Sequence, residues 1–516
     1  MKSRLSVLLV VVATFLFVPV GFFHRIDVYD EGVQVYGAAR ILAGEVPYRD
    51  FWTLYAPGQF YLLATLFRIF SPSLVVERTA SVLIIAAGAL VVYALSVVMA
   101  SRSLALLPWA LWTLTLGSFI FFGSAVPTAL LIAAASWFAV LQFLASGRLT
   151  WLALSGGLVG VTALVRHDFG AYTFLVVTGL LAISAGARLR RLLTFGGATL
   201  LPLAVALVAL LYAGTPAKTL LADLVLFPLS TFAEARALPA PNPLSGLHGP
   251  VALAEVFAGL RFYFPLGILA ITGITVVALW RQRALDRAEL RRVALFAGLV
   301  LLFLNNARIR SDVVHALPAW CPALVLFAWL ASKARNRLLK GLIAGTALTF
   351  GLPPLLTKLT FAAYMVSFAA TGTSEFTYTI PRARGIADAP AQQAYEAGVE
   401  YIRTVVPPDA RIFVGNLHHD RVATGDALFY FLAERHSATR YHEIHPGLTT
   451  TAAVQEVMVS ELERAGVTYV VIRLRDPALK DDDGQPHGGV EILDRYIQTR
   501  FEPVVGFGTY LIAKRK

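Results

Sequence analysis

One cysteine stands in 516 residues, Cys321, and it lies inside an apolar run, so no disulfide framework can form. Charge is scarce as well. Asp, Glu, Lys and Arg make up 15% of the chain, where soluble domains average about 25%, and that shortage argues against an ordinary soluble enzyme. The chain has no Walker A motif, no H-E-x-x-H and no G-x-S-x-G, so an ATPase, a zincin protease and an α/β-hydrolase lose their main support. It has no pair of Gly/Pro-broken spans at equivalent positions of two halves, which an inverted-repeat transporter often shows. No A-x-A-like exit follows the first apolar run, which reads as an uncleaved span rather than a signal peptide. Internal repeats and low-complexity tracts are absent too.

What is there is apolar sequence. The chain is 57% hydrophobic with a mean hydropathy of +0.67, the composition of a membrane protein with many spans. Residues 5–23 form the first span, and 24–78 a long loop beyond it. Within that loop, 56–70 is apolar but shorter than the roughly 20 residues a bilayer crossing needs. With Arg68 near its end, it reads as a helix lying at the interface. Further spans are expected at 79–100, 104–122, 126–145, 149–165, 169–186, 194–213, 259–280, 291–304, 313–331 and 338–366, with a long polar-broken loop at 214–258. Basic residues cluster on one side of this topology: Lys2, Arg4, Arg102, Arg148, Arg188, Arg190, Arg191, Arg281, Arg283, Arg287, Arg291, Arg292, Lys333, Arg335, Arg337 and Lys340, against only Asp286 and Glu289 in the same connectors. That asymmetry marks the cytoplasmic side and gives eleven spans, N-terminus in and C-terminus out. The net charge of +12 therefore reports topology, and no nucleic-acid role is read from it.

From about residue 370 the composition changes. RIFVG (411–415), TYVVIR (468–473) and VVGFGTYLIAKR (504–515) read as strands. Residues 391–406 and 451–466 have helical periodicity. Helices alternating with short strands imply a small extracytoplasmic α/β domain over 370–516, after a multi-span domain over 1–369. KDDDGQPHGG (480–489) reads as a solvated hairpin or loop tip.

Three polar groups fall on the outer face, where apolar sequence would cost less. The first is Asp27, Asp30 and Glu31. The second is Arg166, His167 and Asp168, wedged between two spans. The third is Arg308, Arg310, Asp312 and His315. Carboxylates that take a proton or bind a metal, beside cations that hold a phosphate, would make a catalytic pocket there. Each group also has a structural reading. Asp30 and Glu31 could be solvated residues at a helix N-terminus. Arg166 with Asp168 could be a turn-stabilising ion pair, Arg308 and Arg310 could snorkel to headgroups, and His315 could be a hydrogen-bonded core residue. Tyr29, Tyr36, Tyr48, Trp52, Tyr55 and Tyr61 suit either an interfacial aromatic belt or a sugar site.

The pattern D-E-G…Y…A-R…G…P-Y-R-D-F…Y-A-P-G…Y, from Asp30 to Tyr61, resembles the first extracytoplasmic loop of the GT-C superfamily of membrane glycosyltransferases, in the branch of protein O-mannosyltransferases and lipid A aminoarabinose transferases. R-H-D-F-G (166–170) and R-S-D-V-V-H-A-L-P (310–318) also look like motifs of bacterial members. The resemblance covers the whole chain in architecture. It implies a helical polytopic GT-C-like fold in the inner (plasma) membrane. It further implies a polyprenyl-phosphate-linked sugar donor and an extracytoplasmic glycan, lipid or protein acceptor. By the same resemblance Asp30 is the general base for the acceptor hydroxyl, and Glu31 assists it or holds a divalent metal ion with it; no other cofactor is implied. The hydroxyl then displaces the lipid phosphate with inversion. Arg308, Arg310 and His315 would stabilise the departing phosphate, and Arg166 would do the same or orient Asp168. Asp312 and Tyr55 complete the expected substrate-binding set. The third motif matches no assigned phosphate-binding residue of a characterised member. Two rivals remain: a transporter or flippase of lipid-linked sugars, and a non-catalytic envelope-assembly protein whose outer domain binds a partner.

Overall fold

The computed structural model describes residues 2–116, 123–184, 186–229, 238–242, 252–334, 337–371, 376–420, 424–444, 447–474 and 489–516. Eleven helices run in chain order through a bundle: α1 (Lys2–Phe17), α4 (Leu74–Met99), α5 (Arg102–Leu116), α6 (Ala125–Ser146), α7 (Leu149–Val165), α8 (His167–Ala182), α9 (Arg188–Tyr212), α10 (Ala252–Arg281), α11 (Arg287–Phe303), α12 (Val313–Lys333) and α13 (Arg337–Thr371). Two shorter helices, α2 (Asp30–Leu42) and α3 (Gly58–Phe70), lie between the first two. Six bundle helices among the described residues are long and apolar enough to cross a membrane. The expected helical fold is therefore borne out, with shifted ends. α4 starts five residues before the expected span at 79, because Ser73 caps it by accepting the Val76 N–H. Of the expected loop tip at 480–489, residues 480–488 lie outside the described residues.

Burial separates the bundle's centre from its rim. Of α12's apolar window 83% is buried, but only 11% of α9's. α9 turns Leu200, Leu201, Val205 and Val208 outward, as a helix facing lipid does. Its other side lies against α7 through two glycines. A Cβ at Gly156 would sit 2.4 Å from the Phe195 carbonyl oxygen, and one at Gly160 2.3 Å from that of Thr199. Small residues four apart let two backbones touch.

The C-terminal region is an α/β domain, as expected. β3 (Arg411–Asn416), β4 (His436–Ser437) and β5 (Tyr469–Arg473) are parallel, and β6 (Phe501–Phe507) and β7 (Tyr510–Arg515) continue the sheet in the order β4-β3-β5-β7-β6. Residues 504–515 are not one strand. Gly508, at φ +58°, reverses the chain between β6 and β7. α14 (Gln393–Val405), α15 (Ala427–Ala433), α16 (Ala452–Arg464) and α17 (Ile492–Arg500) flank the sheet, and a small pair, β1 (Phe376–Thr377) with β2 (Ala387–Asp388), leads into it.

This domain shares a core with the first loop. Tyr36 of α2 stacks on Tyr430 of α15, with ring centroids 4.9 Å apart at 16°. The Tyr36 hydroxyl accepts the Ser437 N–H, and Val35, Leu63 and Phe67 are buried among Ile412, Val414 and Phe431. Gly32 makes the approach possible: a Cβ there would lie 2.4 Å from the Leu428 nitrogen. Chain entering from α1 adds backbone bonds, with Arg25 N–H donating to Ala387 O at 2.8 Å and Ala387 N–H to Phe23 O at 3.0 Å.

Candidate active site

The acidic group starts α2. Asp27 Oδ1 accepts the N–H groups of Tyr29 (2.9 Å) and Asp30 (2.8 Å), while Glu31 Oε2 accepts the N–H of Asp27 at 3.2 Å. These bonds close the turn that leads into α2, whose cap residue Tyr29 makes no side-chain cap bond. Burial, and then the neighbouring charge of Asp30, push Asp27 up to about 6. Asp30 is the solvent-exposed member of the three.

Glu31 is fully buried, and so is its partner. Arg78 Nε donates to Oε1 at 2.7 Å and Nη2 to Oε2 at 2.9 Å, and the same guanidinium binds the Phe22 and Arg25 carbonyls. The neighbouring Glu77 takes the Ser81 hydroxyl (2.6 Å) and the Gly123 N–H. Glu77 and Arg78 belong to the first turn of α4 rather than to the loop, so the sequence reading missed both. Their arrangement also bears on a metal ion shared by Asp30 and Glu31. Both Glu31 oxygens already accept from Arg78, and one also accepts from Asp27. The donor set does not fit such an ion.

The second and third groups meet. Arg166 Nη2 and Nε reach Asp168 at 2.5 Å and 3.0 Å, and the guanidinium sits 4.5 Å from the Phe169 ring centroid. Arg166 lies within electrostatic reach of Tyr55 and Tyr172. Tyr172 in turn accepts a hydrogen bond from Asn305 Nδ2 at 3.0 Å, and Asn305 Oδ1 accepts from Arg308 Nε at 3.0 Å. Arg310 and His315 are tied instead to Asp312, at 2.9 Å and 2.7 Å. Asp312 also caps α12 by accepting the His315 N–H. Burial raises Asp312, but these hydrogen bonds outweigh it and hold the carboxyl at about 2.

All three groups lie at the end of the bundle that carries the C-terminal domain. α3 is the hub. Its first residue, Gly58, leaves room for the Leu164 carbonyl two residues before Arg166 (2.6 Å from an added Cβ), and Gln59 Nε2 donates to Gly123 O at 3.0 Å. Gly123 in turn abuts Glu31 and Gln34. Tyr29, next to Asp30, packs in one small cluster with Tyr55, Phe60 and Ala427.

One wall of this region comes from the C-terminal domain, which no motif announced. Trp52 N–H donates to Arg440 O at 3.0 Å. Glu443 is fully buried beside Thr53, whose hydroxyl does not close a hydrogen bond of normal geometry with it, and burial pushes it up to about 8. Asp223, also buried, is pushed up to about 6 by burial, against the pull of Arg440 and Trp52. On another side of the same domain, ligand atoms of His418, Asp420 and Asp494 lie within 4.8 Å of one another.

No protein-family model matches the chain, and no curated protein matches its sequence. Among solved structures, it is similar to ArnT from Cupriavidus metallidurans bound to undecaprenyl phosphate, at 14% identity and a TM-score of 0.55, over 99% of this chain and 98% of that one. It is also similar to the oligosaccharyltransferase of Archaeoglobus fulgidus in its apo form, at 11% identity and a TM-score of 0.50, over 90% of this chain and 69% of that one. Over 99% of its length, from the opening helix to the closing hairpin, this chain therefore shares the fold of ArnT.

Proposed function

We propose that the protein is an inner-membrane glycosyltransferase that moves a sugar from a polyprenyl-phosphate carrier to an extracytoplasmic acceptor hydroxyl. The observation that carries this reading is a fold shared end to end with ArnT, a protein solved with undecaprenyl phosphate, together with an exposed Asp30 at the bundle end that holds Arg166 and Arg308. The basic residues of the opposite connectors support an extracytoplasmic position for that end. Asp30 takes the proton of the acceptor hydroxyl, whose oxygen attacks the anomeric carbon. The bond from that carbon to the phosphate oxygen breaks with inversion, and the departing polyprenyl phosphate keeps the electron pair. Arg166 and Arg308, linked through Tyr172 and Asn305, meet its growing charge. Asp168 orients Arg166, and Tyr55 gives the sugar an aromatic wall. Arg310, Asp312 and His315 shape the rim of the donor site.

The test is a release assay. Purified protein in detergent is given a panel of polyprenyl-phosphate sugars and candidate acceptors, and free polyprenyl phosphate is measured. Release that depends on acceptor supports the proposal. Translocation of intact donor in liposomes without release would favour a flippase instead.

A further inference from the structure

A cavity of about 1090 Å³ opens at the end of α2 opposite Asp30, between the first loop and the C-terminal domain. Ligand pockets typically enclose about 300–1,000 Å³, so it has room for a short saccharide. Its walls are the turn after α2, the ends of α14 and α16, and the starts of β3 and β4. Arg411 and His436 are partners in register across β3 and β4, so their side chains stand on one face of the sheet's amino end.

Five guanidiniums and four carboxylates line this cleft. Three of the carboxylates are engaged within it. Glu45 is paired with Arg40, Asp50 with Arg49 at 2.7 Å, and Glu461 takes the Arg440 N–H at 2.9 Å. The fourth, Asp409, is exposed. Two of the cations are less fully matched. Among the described residues, Arg464 reaches only the Ser460 hydroxyl, at 3.4 Å. Arg411 donates to Ser437 O at 2.7 Å, and its one carboxylate neighbour is Glu45, 3.9 Å away and already held by Arg40. A cation in the last turn of α16 suits the helix dipole, which accounts for part of Arg464. Arg411 opens a strand and has no such dipole to offset.

We propose that this cleft binds an acidic oligosaccharide, with the Arg411 and Arg464 guanidiniums on its carboxylates. A guanidinium fork meets a carboxylate through two parallel hydrogen bonds. The engaged acids and arginines around it offer acceptors and donors to sugar hydroxyls. A singly charged carboxylate suits walls that already hold four acids, whereas a phosphate monoester, at about −2, meets more repulsion. The binding stands apart from the transfer reaction proposed above, and only the ligand's role rests on that reading. The saccharide is then the acceptor chain, held at one end of α2 with its terminus towards Asp30 at the other. Arg40, on the cleft wall, lies ten residues from Asp30 along α2, about 15 Å of helix.

The experiment is calorimetry on the full-length chain in detergent, with no sugar donor present. The probes are tetragalacturonate, neutral maltotetraose and sodium phosphate. Tetragalacturonate should bind and maltotetraose should not, and phosphate should bind more weakly than the uronate by about tenfold or more. Arg411→Gln and Arg464→Gln should each weaken the uronate by about tenfold or more. Both should keep the wild-type thermal midpoint, because both side chains are exposed. Asp30→Asn should bind the uronate as the wild type does. A protein that binds the uronate yet releases no polyprenyl phosphate keeps the cleft and loses the transfer reading. No uptake of the uronate, equal affinity for maltotetraose or for phosphate, or wild-type affinity in either arginine variant would overturn the proposal.

Discussion

Glu31 and Arg78 meet guanidinium to carboxylate at 2.7 Å, with neither side chain exposed. This pair joins the start of α2 to the first turn of α4. Removing one partner of a buried pair leaves an uncompensated charge and costs about 3–5 kcal/mol. Arg78→Met and Glu31→Gln should each lower the thermal midpoint sharply in detergent. The double variant Glu31→Leu/Arg78→Met should recover part of the loss. A double variant worse than the sum of the singles would show that the pair is not the link.

Glu443 gives a pH dependence. Its folded pKa of about 8 exceeds the ordinary value of 4.5, so between these values the native state binds the proton that the unfolded state has released. Stability from this group is therefore full below about pH 4.5 and is lost as pH rises towards 8. Glu443→Gln should flatten the fall in thermal midpoint between pH 5 and 8 and leave the variant the more stable at pH 8. An unchanged slope would contradict the burial assigned to this carboxyl.

Gly32 is where two backbones approach. An added Cβ would meet the Leu428 nitrogen at 2.4 Å and its Cβ at 2.9 Å. Gly32→Ala should loosen the C-terminal domain and speed its release by limited proteolysis, although alanine favours the helix by about 1 kcal/mol. Gly157→Ala, with nothing within 4 Å, is the control and should leave cleavage unchanged.

Orientation is tested by fusions. With the C-terminus outside, as the basic connectors predict, alkaline phosphatase joined after Lys516 should be active and a fluorescent protein at the same point dark. The reverse pattern would move the whole acidic cluster to the cytoplasmic face.

The bundle was legible because apolar runs and basic connectors are local signals. Residues 149–165 read as a span and form α7. The contacts that build the site were less so. Glu31 and Arg78 are 47 positions apart, and no periodicity links them, so Arg78 looked like the end of a loop. Glu443 sits in a stretch without a motif, and its burial exists only once the C-terminal domain folds back on Thr53. Arg166 with Asp168 was visible as a turn pair. Its connection through Tyr172 and Asn305 to Arg308 needed α8 and α11 side by side. The strand over 504–515 hid a hairpin because Gly508 sits in an otherwise continuous apolar stretch.

The central claim concerns Asp30, and the release assay with Asp30→Asn tests it most directly. A positioned general base contributes about 10²–10⁴-fold, so acceptor-dependent release of polyprenyl phosphate should fall by that factor while the thermal midpoint, read in the same preparation, stays near that of the wild type. Release at the wild-type rate from a folded Asp30→Asn protein would contradict the account.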